Sequence, residues 1–445
     1  MAITLCPEAT AATVTDEEEM HRKASHESLD TLTRRQFVKG CFATAIGTTS
    51  LTRTASAFGE SETAVTPFTY LAPQSALDDL KYRLEHTRWP ERETVKDWSQ
   101  GVPLSDLRAL VEYWRKDYDW RRGEAALNRF PQYRTTIDGL SIHFIHVRSK
   151  HPDALPIILT HGWPSTVMLF RDVIGPLADP TAHGGRAEDA FNVVVPSLPG
   201  FGFSEKPRER GWNSERTARA WAMLMERLEY KRYVAQGGDW GAFVTTEMAQ
   251  QRAQGLAAVH LNFPLVIPDK IPPKLSPEQQ RAVEDLNRWR KQGGGYFVIQ
   301  STRPQTIGYS LLDSPAGQAA WIYDIYHAGT GNRGKPEDFI AREKILDDIT
   351  LYWLTETAAS SARFYLEQVS RFGARNNPGR IELPVAVSRF PYDLPAPRSW
   401  ASQVYPNLIY WHDLDRGGHF ASLEEPEKFM QELRDFARSL RRTVR

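Results

Sequence analysis

The hexapeptide GGDWGA at residues 237–242 constrains the fold more than any other stretch of this 445-residue chain. A short apolar run, RYVAQ, precedes it, and the helix-forming segment AFVTTEMAQQRA follows at 242–253. Gly-x-Asp-x-Gly between a strand and a helix is typical of a tight turn that presents its central side chain at the edge of a sheet. An aspartate that only caps the helix would explain the hexapeptide alone equally well. The role of Asp239 therefore depends on the rest of the chain.

Further strand-like runs around this turn predict an α/β sheet. A hairpin is expected over residues 133–149, turned at Asp138–Gly139. Short apolar runs that alternate with helical segments indicate a mainly parallel sheet with helices packed on it. The remaining strands are expected within 156–164, 191–204, 232–241, 257–264, 384–390 and 407–414.

Helical patterns precede and interrupt the predicted sheet. In the first of them, Leu77, Leu80 and Leu84 recur at helical spacing. The strand signal disappears again between about 266 and 380, where aromatics and helix formers predict an inserted cap. The sequence thus predicts a helical N-terminal extension at 66–132, a core at 133–265 and 381–445, and a helical cap at 266–380.

The first 57 residues have the order of an export signal. The segment TRRQFVK at 33–39 is followed by the weakly apolar GCFATAIGTTSL and by the small residues ASA at 55–57. Paired arginines, an apolar run and a cleavage site in this order resemble a twin-arginine signal, although an arginine pair can also occur by chance in a disordered tail. We expect export to the bacterial periplasm or the extracellular space. Both cysteines, Cys6 and Cys41, precede the mature chain, so disulfides are not expected in its fold.

Composition excludes several classes of partner. Acidic and basic residues number 55 each, which gives no overall field for nucleic acid. No stretch of the mature chain reaches the roughly 18 apolar residues of a spanning helix. His143 and His146 are the closest approach to a metal motif, but in a strand they lie on opposite faces. We expect no metal and no other cofactor, and a homodimer is left open.

The motif HGWP at 161–164 follows a predicted strand and supplies a second part of a site. A turn after an early strand and the residue after the nucleophile each contribute a backbone N–H to an oxyanion hole in hydrolases with this turn. The predicted donors are the N–H groups of Trp163 and Trp240. His161 is expected to bond nearby backbone rather than to transfer protons.

Two further motifs follow the last predicted strands. Asp393 lies in FPYDLPAPRSW after the strand at 384–390, and His419 lies in RGGHFASLEEP after the strand at 407–414. Either residue alone is more often an ordinary surface residue. The chain order of nucleophile, acid and histidine, each at a strand end, is that of the α/β-hydrolase fold. We therefore predict Asp239 as nucleophile, His419 as base and Asp393 as the acid that orients it.

A carboxylate nucleophile restricts the reaction. A serine alkylated at an sp³ carbon would form a stable ether, whereas an aspartate forms an ester that activated water can cleave. Epoxide opening and carbon–halogen cleavage both fit, and Trp240 could bind a halide in a haloalkane dehalogenase. A non-catalytic binding protein with this fold is a third hypothesis. A bulky apolar substrate is suggested by cap aromatics, which core packing explains equally well: Trp289, Phe297, Trp321, Tyr326 and Trp353.

Over nearly all of 66–440 the chain resembles the microsomal-type epoxide hydrolases. The resemblance rests on RWP, HGWP, PSLPGFGFS, GGDWG, IQSTRPQTIGYSLLDSP, LYWLTETAASSARFY, FP-x-D, PRSW and RGGHF. It implies an α/β-hydrolase with an N-terminal extension and a helical cap, which uses Asp239, Asp393 and His419 on an epoxide and water. It also implies two cap tyrosines as donors to the epoxide oxygen, and Tyr296 and Tyr365 match those positions. An export signal stands where membrane-bound relatives have an anchoring helix.

Overall fold

The computed structural model describes residues 63–372, 379–394 and 396–443. The predicted export signal at 1–57, with Cys6 and Cys41, lies outside the described residues.

One mixed sheet of nine strands forms the centre of the described chain. Its order is β1-β2-β3-β5-β4-β6-β7-β8-β9. The six strands β5, β4, β6, β7, β8 and β9 run parallel to one another. Strands β1, β2 and β3 pair antiparallel, and β3 joins them to the sheet by pairing antiparallel with β5. The strands are β1 Thr66–Phe68, β2 Gln132–Ile137, β3 Leu140–Val147, β4 Leu155–Thr160, β5 Phe191–Pro196, β6 Tyr233–Gly237, β7 Leu256–Leu261, β8 Val385–Arg389 and β9 Leu408–Asp413.

The predicted hairpin is present as β2 and β3. Asp138 and Gly139 both have positive φ angles, 54° and 74°, as a two-residue hairpin turn requires. The turn therefore gives the two strands the expected register, with Ile137 opposite Leu140.

The strand order reverses between β4 and β6. The chain passes from β4 outward to β5 and then crosses back to β6 on the other side of β4. In open α/β sheets, ligands bind at the carboxyl ends of the strands at such a reversal. The residues that follow β4 and β6 are HGWP and GGDWGA, so the topology brings these two motifs together.

The N-terminal extension is mainly helical. Three helices follow one another: α1 Gln74–Glu85, α2 Leu104–Lys116 and α3 Trp120–Asn128. The extension also contributes strand β1, which the sequence did not predict. With three residues and one proline, Pro67, β1 has no readable alternation, and a proline is tolerated because β1 is an edge strand.

The cap contains six α-helices in the described residues between β7 and β8. They are α7 Pro277–Arg288, α8 Gly295–Thr302, α9 Pro304–Asp313, α10 Pro315–Gly329, α11 Arg342–Thr355 and α12 Ala358–Phe372. Glu356, whose φ is 53°, ends α11 and separates it from α12. The helices packed around the sheet are α4 Ile174–Ala178, α5 Ser214–Arg227, α6 Trp240–Gln250, α13 Arg398–Val404, α14 Ala421–Glu424 and α15 Pro426–Thr443.

None of the helices at 63–372, 379–394 and 396–443 combines the length and the apolar character that crossing a bilayer requires.

Candidate active site

Asp239 lies on a strained turn between β6 and α6. Its backbone has φ 48° and ψ −130°, a region that residues with a side chain rarely adopt. Such strain concentrates at functional sites, where the surrounding structure maintains it. The turn places the carboxylate at the N-terminus of α6, where the helix dipole favours negative charge.

Two glycines permit the close packing of this turn. A Cβ atom on Gly241 would collide with the backbone carbonyl of Thr160, at the end of β4. A Cβ atom on Gly162 would collide with Oδ1 of Asp239. The motifs GGDWGA and HGWP therefore approach so closely that neither position has room for a side chain.

The oxyanion loop, residues 161–166, contacts the carboxylate directly. The backbone N–H of Trp163 donates to Oδ1 of Asp239 at 2.7 Å. Trp240 is the first residue of α6, so its N–H has no acceptor within the helix. The two predicted oxyanion donors thus flank the nucleophile, one from each strand end.

The base loop, residues 416–420, brings His419 to the other oxygen of Asp239. Nε2 of His419 lies 3.4 Å from Oδ2 of Asp239. Nδ1 of the same ring lies 3.0 and 3.1 Å from the two carboxylate oxygens of Asp393. Asp393 is held by the N–H of Leu394 at 2.7 Å. The structure therefore brings the three predicted triad residues together in the predicted arrangement.

The two carboxylates control the charge of His419. Burial by itself lowers the pKa of His419, but the charges of Asp393 and Asp239 and hydrogen bonds to both raise it well above its usual range. The imidazole is therefore protonated in the free protein at neutral pH. Neutralising either carboxylate would lower the pKa of His419 and favour the basic form.

The two cap tyrosines pack against the oxyanion donors. The ring of Tyr296 stacks on Trp163 at 5.2 Å, and the ring of Tyr365 meets Trp240 edge-on at 4.6 Å. The rings of Tyr296 and Tyr365 are 6.0 Å apart. Burial, with the negative charge of Asp239 as a further cause, raises the pKa of both hydroxyls. Both hydroxyls therefore carry their protons at neutral pH and can donate hydrogen bonds.

His161 lies next to the nucleophile but has a structural role, as expected. Its Nε2 accepts the N–H of Leu198 at 3.1 Å, so Nδ1 donates to the carbonyl of Gly162 at 3.0 Å. Burial lowers the pKa of His161 to about 4. The ring is thus neutral, with both nitrogens occupied by backbone groups.

Glu424 supports the base loop, and the sequence analysis assigned it no role. One of its oxygens accepts the N–H of Phe420 at 3.0 Å, and the Glu424 N–H donates back to the carbonyl of Phe420 at 3.0 Å. Burial raises the pKa of Glu424 to about 7. An acidic residue five positions after the histidine was the available signal, but only the fold shows that it turns back onto the loop.

The described residues contain no group of three or more His, Cys, Asp or Glu side chains placed to hold a metal ion. The two histidines of HFIH are engaged elsewhere. His143 bonds Ser197 and Gln132, and His146 bonds Tyr230, each at 2.9 Å.

Comparisons with known proteins place the chain in a family. Residues 65–170 match the family model described as epoxide hydrolase N terminus, and residues 156–291 match that of the alpha/beta hydrolase fold. A relative in Stigmatella aurantiaca is 60% identical over 379 residues, which cover 85% of this chain and 86% of the relative. Epoxide hydrolase 1 of Sus scrofa is 34% identical over 401 residues, which cover 84% of this chain and 88% of that protein.

A solved structure extends the likeness to three dimensions. The crystal structure of juvenile hormone epoxide hydrolase from the silkworm Bombyx mori superposes with a TM-score of 0.79 at 26% identity. The match covers 87% of this chain and 97% of the silkworm chain. With the nucleophile turn, the oxyanion loop and the base loop in place, these similarities show that the chain belongs to the microsomal-type epoxide hydrolase family, within the α/β-hydrolase fold.

Proposed function

We propose that the protein adds water to an apolar epoxide and releases a vicinal diol, through an ester between the substrate and Asp239. One observation carries this proposal: the two oxygens of Asp239 have different surroundings. Oδ1 is held by the N–H of Trp163, whereas Oδ2 faces His419. One oxygen is thus held by the oxyanion loop, while the other, which contacts the side chain of His419, is the one that we assign to the attack.

In the first step, Oδ2 of Asp239 attacks one ring carbon, the carbon–oxygen bond of the epoxide breaks, and the epoxide oxygen takes negative charge. Tyr296 and Tyr365 donate hydrogen bonds to that oxygen and one of them protonates it. The negative charge of Asp239 helps to raise the pKa of both tyrosine hydroxyls, and alkylation removes that charge. The tyrosines therefore become better acids as the alkoxide forms.

In the second step, water attacks the carboxyl carbon of the ester. The loss of charge on Asp239 lowers the pKa of His419, which gives up its proton to the tyrosinate left by the first step and restores the tyrosine hydroxyl. The neutral imidazole then accepts a proton from the attacking water, while Asp393 stabilises the imidazolium that forms. The N–H groups of Trp163 and Trp240 stabilise the oxyanion. Collapse breaks the bond between the carboxyl carbon and the substrate oxygen, restores Asp239 and releases the diol. In that collapse the second proton of the water passes to the leaving oxygen, while His419 keeps the proton that it accepted and so regains its starting charge.

An apolar substrate is supported by the rings around Asp239. Phe297 stands 5.5 Å from the ring of Tyr365, and Phe263 stands 5.4 Å from His419. Two of the other cap aromatics noted in the sequence have structural partners. Tyr326 bonds Asp348, and the indole of Trp321 bonds Gln300. Phe297 is thus the aromatic of that set with the clearest place in the substrate wall.

Oxygen labelling tests the proposal. A single turnover of an aryl epoxide in heavy-oxygen water should place the label in Asp239 and leave the first diol unlabelled, because the added diol oxygen comes from the carboxylate. Label in the first diol would contradict the ester. Asp239→Ala should abolish diol formation.

The haloalkane hypothesis is tested in the same assay. A haloalkane offered to the protein should release no halide at a rate comparable with epoxide opening. Halide release without diol formation from the epoxide would replace the proposal. Binding of the epoxide without either product would favour the non-catalytic hypothesis.

We further propose that the chain is exported. This part rests on the arginine pair at Arg34–Arg35, the apolar run after it and the ASA segment at 55–57. All three lie outside the described residues, and a fractionation experiment is set out in the Discussion.

A further inference from the structure

The cap is attached to the oxyanion loop by a buried carboxylate. Asp348, on α11, accepts two hydrogen bonds from Thr166 through Oδ1: the backbone N–H at 2.9 Å and the hydroxyl at 2.5 Å. One turn later on the same helix, the hydroxyl of Tyr352 donates to the carbonyl of Ser165 at 3.4 Å. Two side chains of α11 therefore hold the end of the loop that carries Trp163.

The second oxygen of Asp348 leads to the base loop. Oδ2 accepts the hydroxyl of Tyr326, on α10, at 2.7 Å. The ring of Tyr326 packs on Phe420, the neighbour of His419, with centroids 4.4 Å apart. At the end of α10, the carbonyl of Gly329 accepts the N–H of His419 at 2.9 Å.

These contacts lie in the interior. Asp348, Tyr326 and Thr166 are each at most 1% exposed. Among the described residues no Lys, Arg or His side chain forms a salt bridge with Asp348, so the three donated hydrogen bonds are its direct partners. A buried carboxylate without a paired cation is costly, and its retention is explained if it specifies an arrangement.

A neighbouring carboxylate on the same helix, Asp347, also attaches the cap, through other partners. Asp347 is 3% exposed and bonds Arg171 and the hydroxyl of Tyr118, the latter at 2.6 Å. These contacts attach α11 to the core and to the N-terminal extension without touching residues 161–166. Asp347 thus matches Asp348 in helix, burial and chemistry, but not in its partners.

We propose that Asp348 is a positioning residue. It keeps the Trp163 N–H and the His419 imidazole in their places on the two sides of Asp239. Thr166 is three residues from Trp163, and Phe420 is next to His419, so one carboxylate connects both groups that act on the ester. The inference rests on the proposed function and concerns mainly its second step, in which the oxyanion donor and the base act together.

Transient kinetics of the full chain test this role. In Asp348→Asn the ratio of the ester-hydrolysis rate to the alkylation rate should fall about tenfold or more, because small misplacements of reacting groups are costly. Asp347→Asn should lower the melting temperature comparably while it leaves that ratio unchanged. An equal fall of both rates in Asp348→Asn, matched by Asp347→Asn, would overturn the inference.

Hydrogen exchange separates this inference from the proposed reaction. Peptides that cover the oxyanion loop should exchange their amide hydrogens faster in Asp348→Asn than in the wild type, and Asp347→Asn should not show this effect. Unchanged exchange overturns the inference whether or not the chain opens epoxides. If Asp348→Asn does not fold, Tyr326→Phe can replace it, because this substitution removes one of the three hydrogen bonds and keeps the ring. The exchange of the oxyanion-loop amides should then increase by a smaller factor.

Discussion

Nε2 of His419 lies 3.4 Å from Oδ2 of Asp239, so the proposed base is in direct contact with the proposed nucleophile. Asp393 occupies the other side of the ring. The imidazole therefore stands between two negative charges, one of which disappears when the nucleophile is alkylated. The charge of His419 is thereby coupled to the state of Asp239.

Replacing the nucleophile with its neutral amide should mimic that loss of charge. In Asp239→Asn the pKa of His419 should fall by about one or more, since a unit charge at this distance contributes roughly 1–4 kcal/mol. Titration of the His419 ring by NMR measures the change. Asp313→Asn, an exposed carboxyl on the cap, should leave the pKa of His419 as it is. A pKa of His419 unaffected by Asp239→Asn would contradict the coupling.

Removal of one cap hydroxyl should affect the first step more than the second. Tyr365→Phe should slow alkylation by about tenfold to a hundredfold, because a second donor, Tyr296, remains. Rapid-quench measurement of the ester separates the two rates. Tyr323→Phe is the control, since that buried hydroxyl bonds Glu337 away from the nucleophile. Equal slowing of both steps in Tyr365→Phe would count against its assignment as a donor.

A single methyl group should disable the nucleophile without unfolding the protein. In Gly162→Ala the new Cβ would collide with Oδ1 of Asp239, so we expect at least about a hundredfold loss of kcat. Gly175→Ala has open space at its Cβ and should keep full activity. Circular dichroism and the melting temperature check the folding of both variants. Normal activity in Gly162→Ala would show that the carboxylate has another position available.

Glu424 should make stability depend on pH in a defined window. Its folded-state pKa of about 7 lies above the ordinary 4.5, so its contribution is fully present below about pH 4.5 and is lost as the pH rises through about 7. Relative to the wild type, Glu424→Gln should therefore gain up to about 3 kcal/mol in the free energy of unfolding between those pH values. Urea unfolding of both proteins at each pH measures the difference. A constant difference would mean that Glu424 does not titrate in this window.

Export should depend on the arginine pair. Substitution of both Arg34 and Arg35 by lysine keeps the charge but alters the paired guanidinium groups, and we expect the protein to remain in the cytoplasm of a bacterial host. Activity in periplasmic and cytoplasmic fractions gives the readout. Substitution of Arg53 by lysine, beyond the apolar run, should leave transport unchanged. Equal export of the double variant would remove the twin-arginine assignment.

The local sequence pattern was enough to predict the location of a candidate site residue where that residue follows a strand. Asp239, Trp163 and Asp393 each follow an apolar run that became a strand of the sheet, and the parallel order then brings them to one edge. Strand β1 was not predicted, because three residues that include a proline show no alternation of apolar and polar side chains.

Contacts across the chain were beyond the reach of local pattern. Thr166 and Asp348 are 182 residues apart, and no motif in the sequence relates the two positions. Glu424 shows the same limit at short range, since its structural role depends on how the base loop turns. Spacing predicts which residues end a strand, but the packing of the cap decides which of its polar groups face inward.

The hydrogen bond from the His419 N–H to the carbonyl of Gly329 makes the cap part of the scaffold that holds the base. Gly418 extends this dependence, because a Cβ atom there would collide with the same carbonyl. The inserted domain is therefore not a module that can be exchanged to change substrate preference while the core keeps its competence. In a chimera that receives the cap of another protein, the carbonyl that holds the histidine would come from that other protein, so we expect that cap and base loop have to be transplanted together.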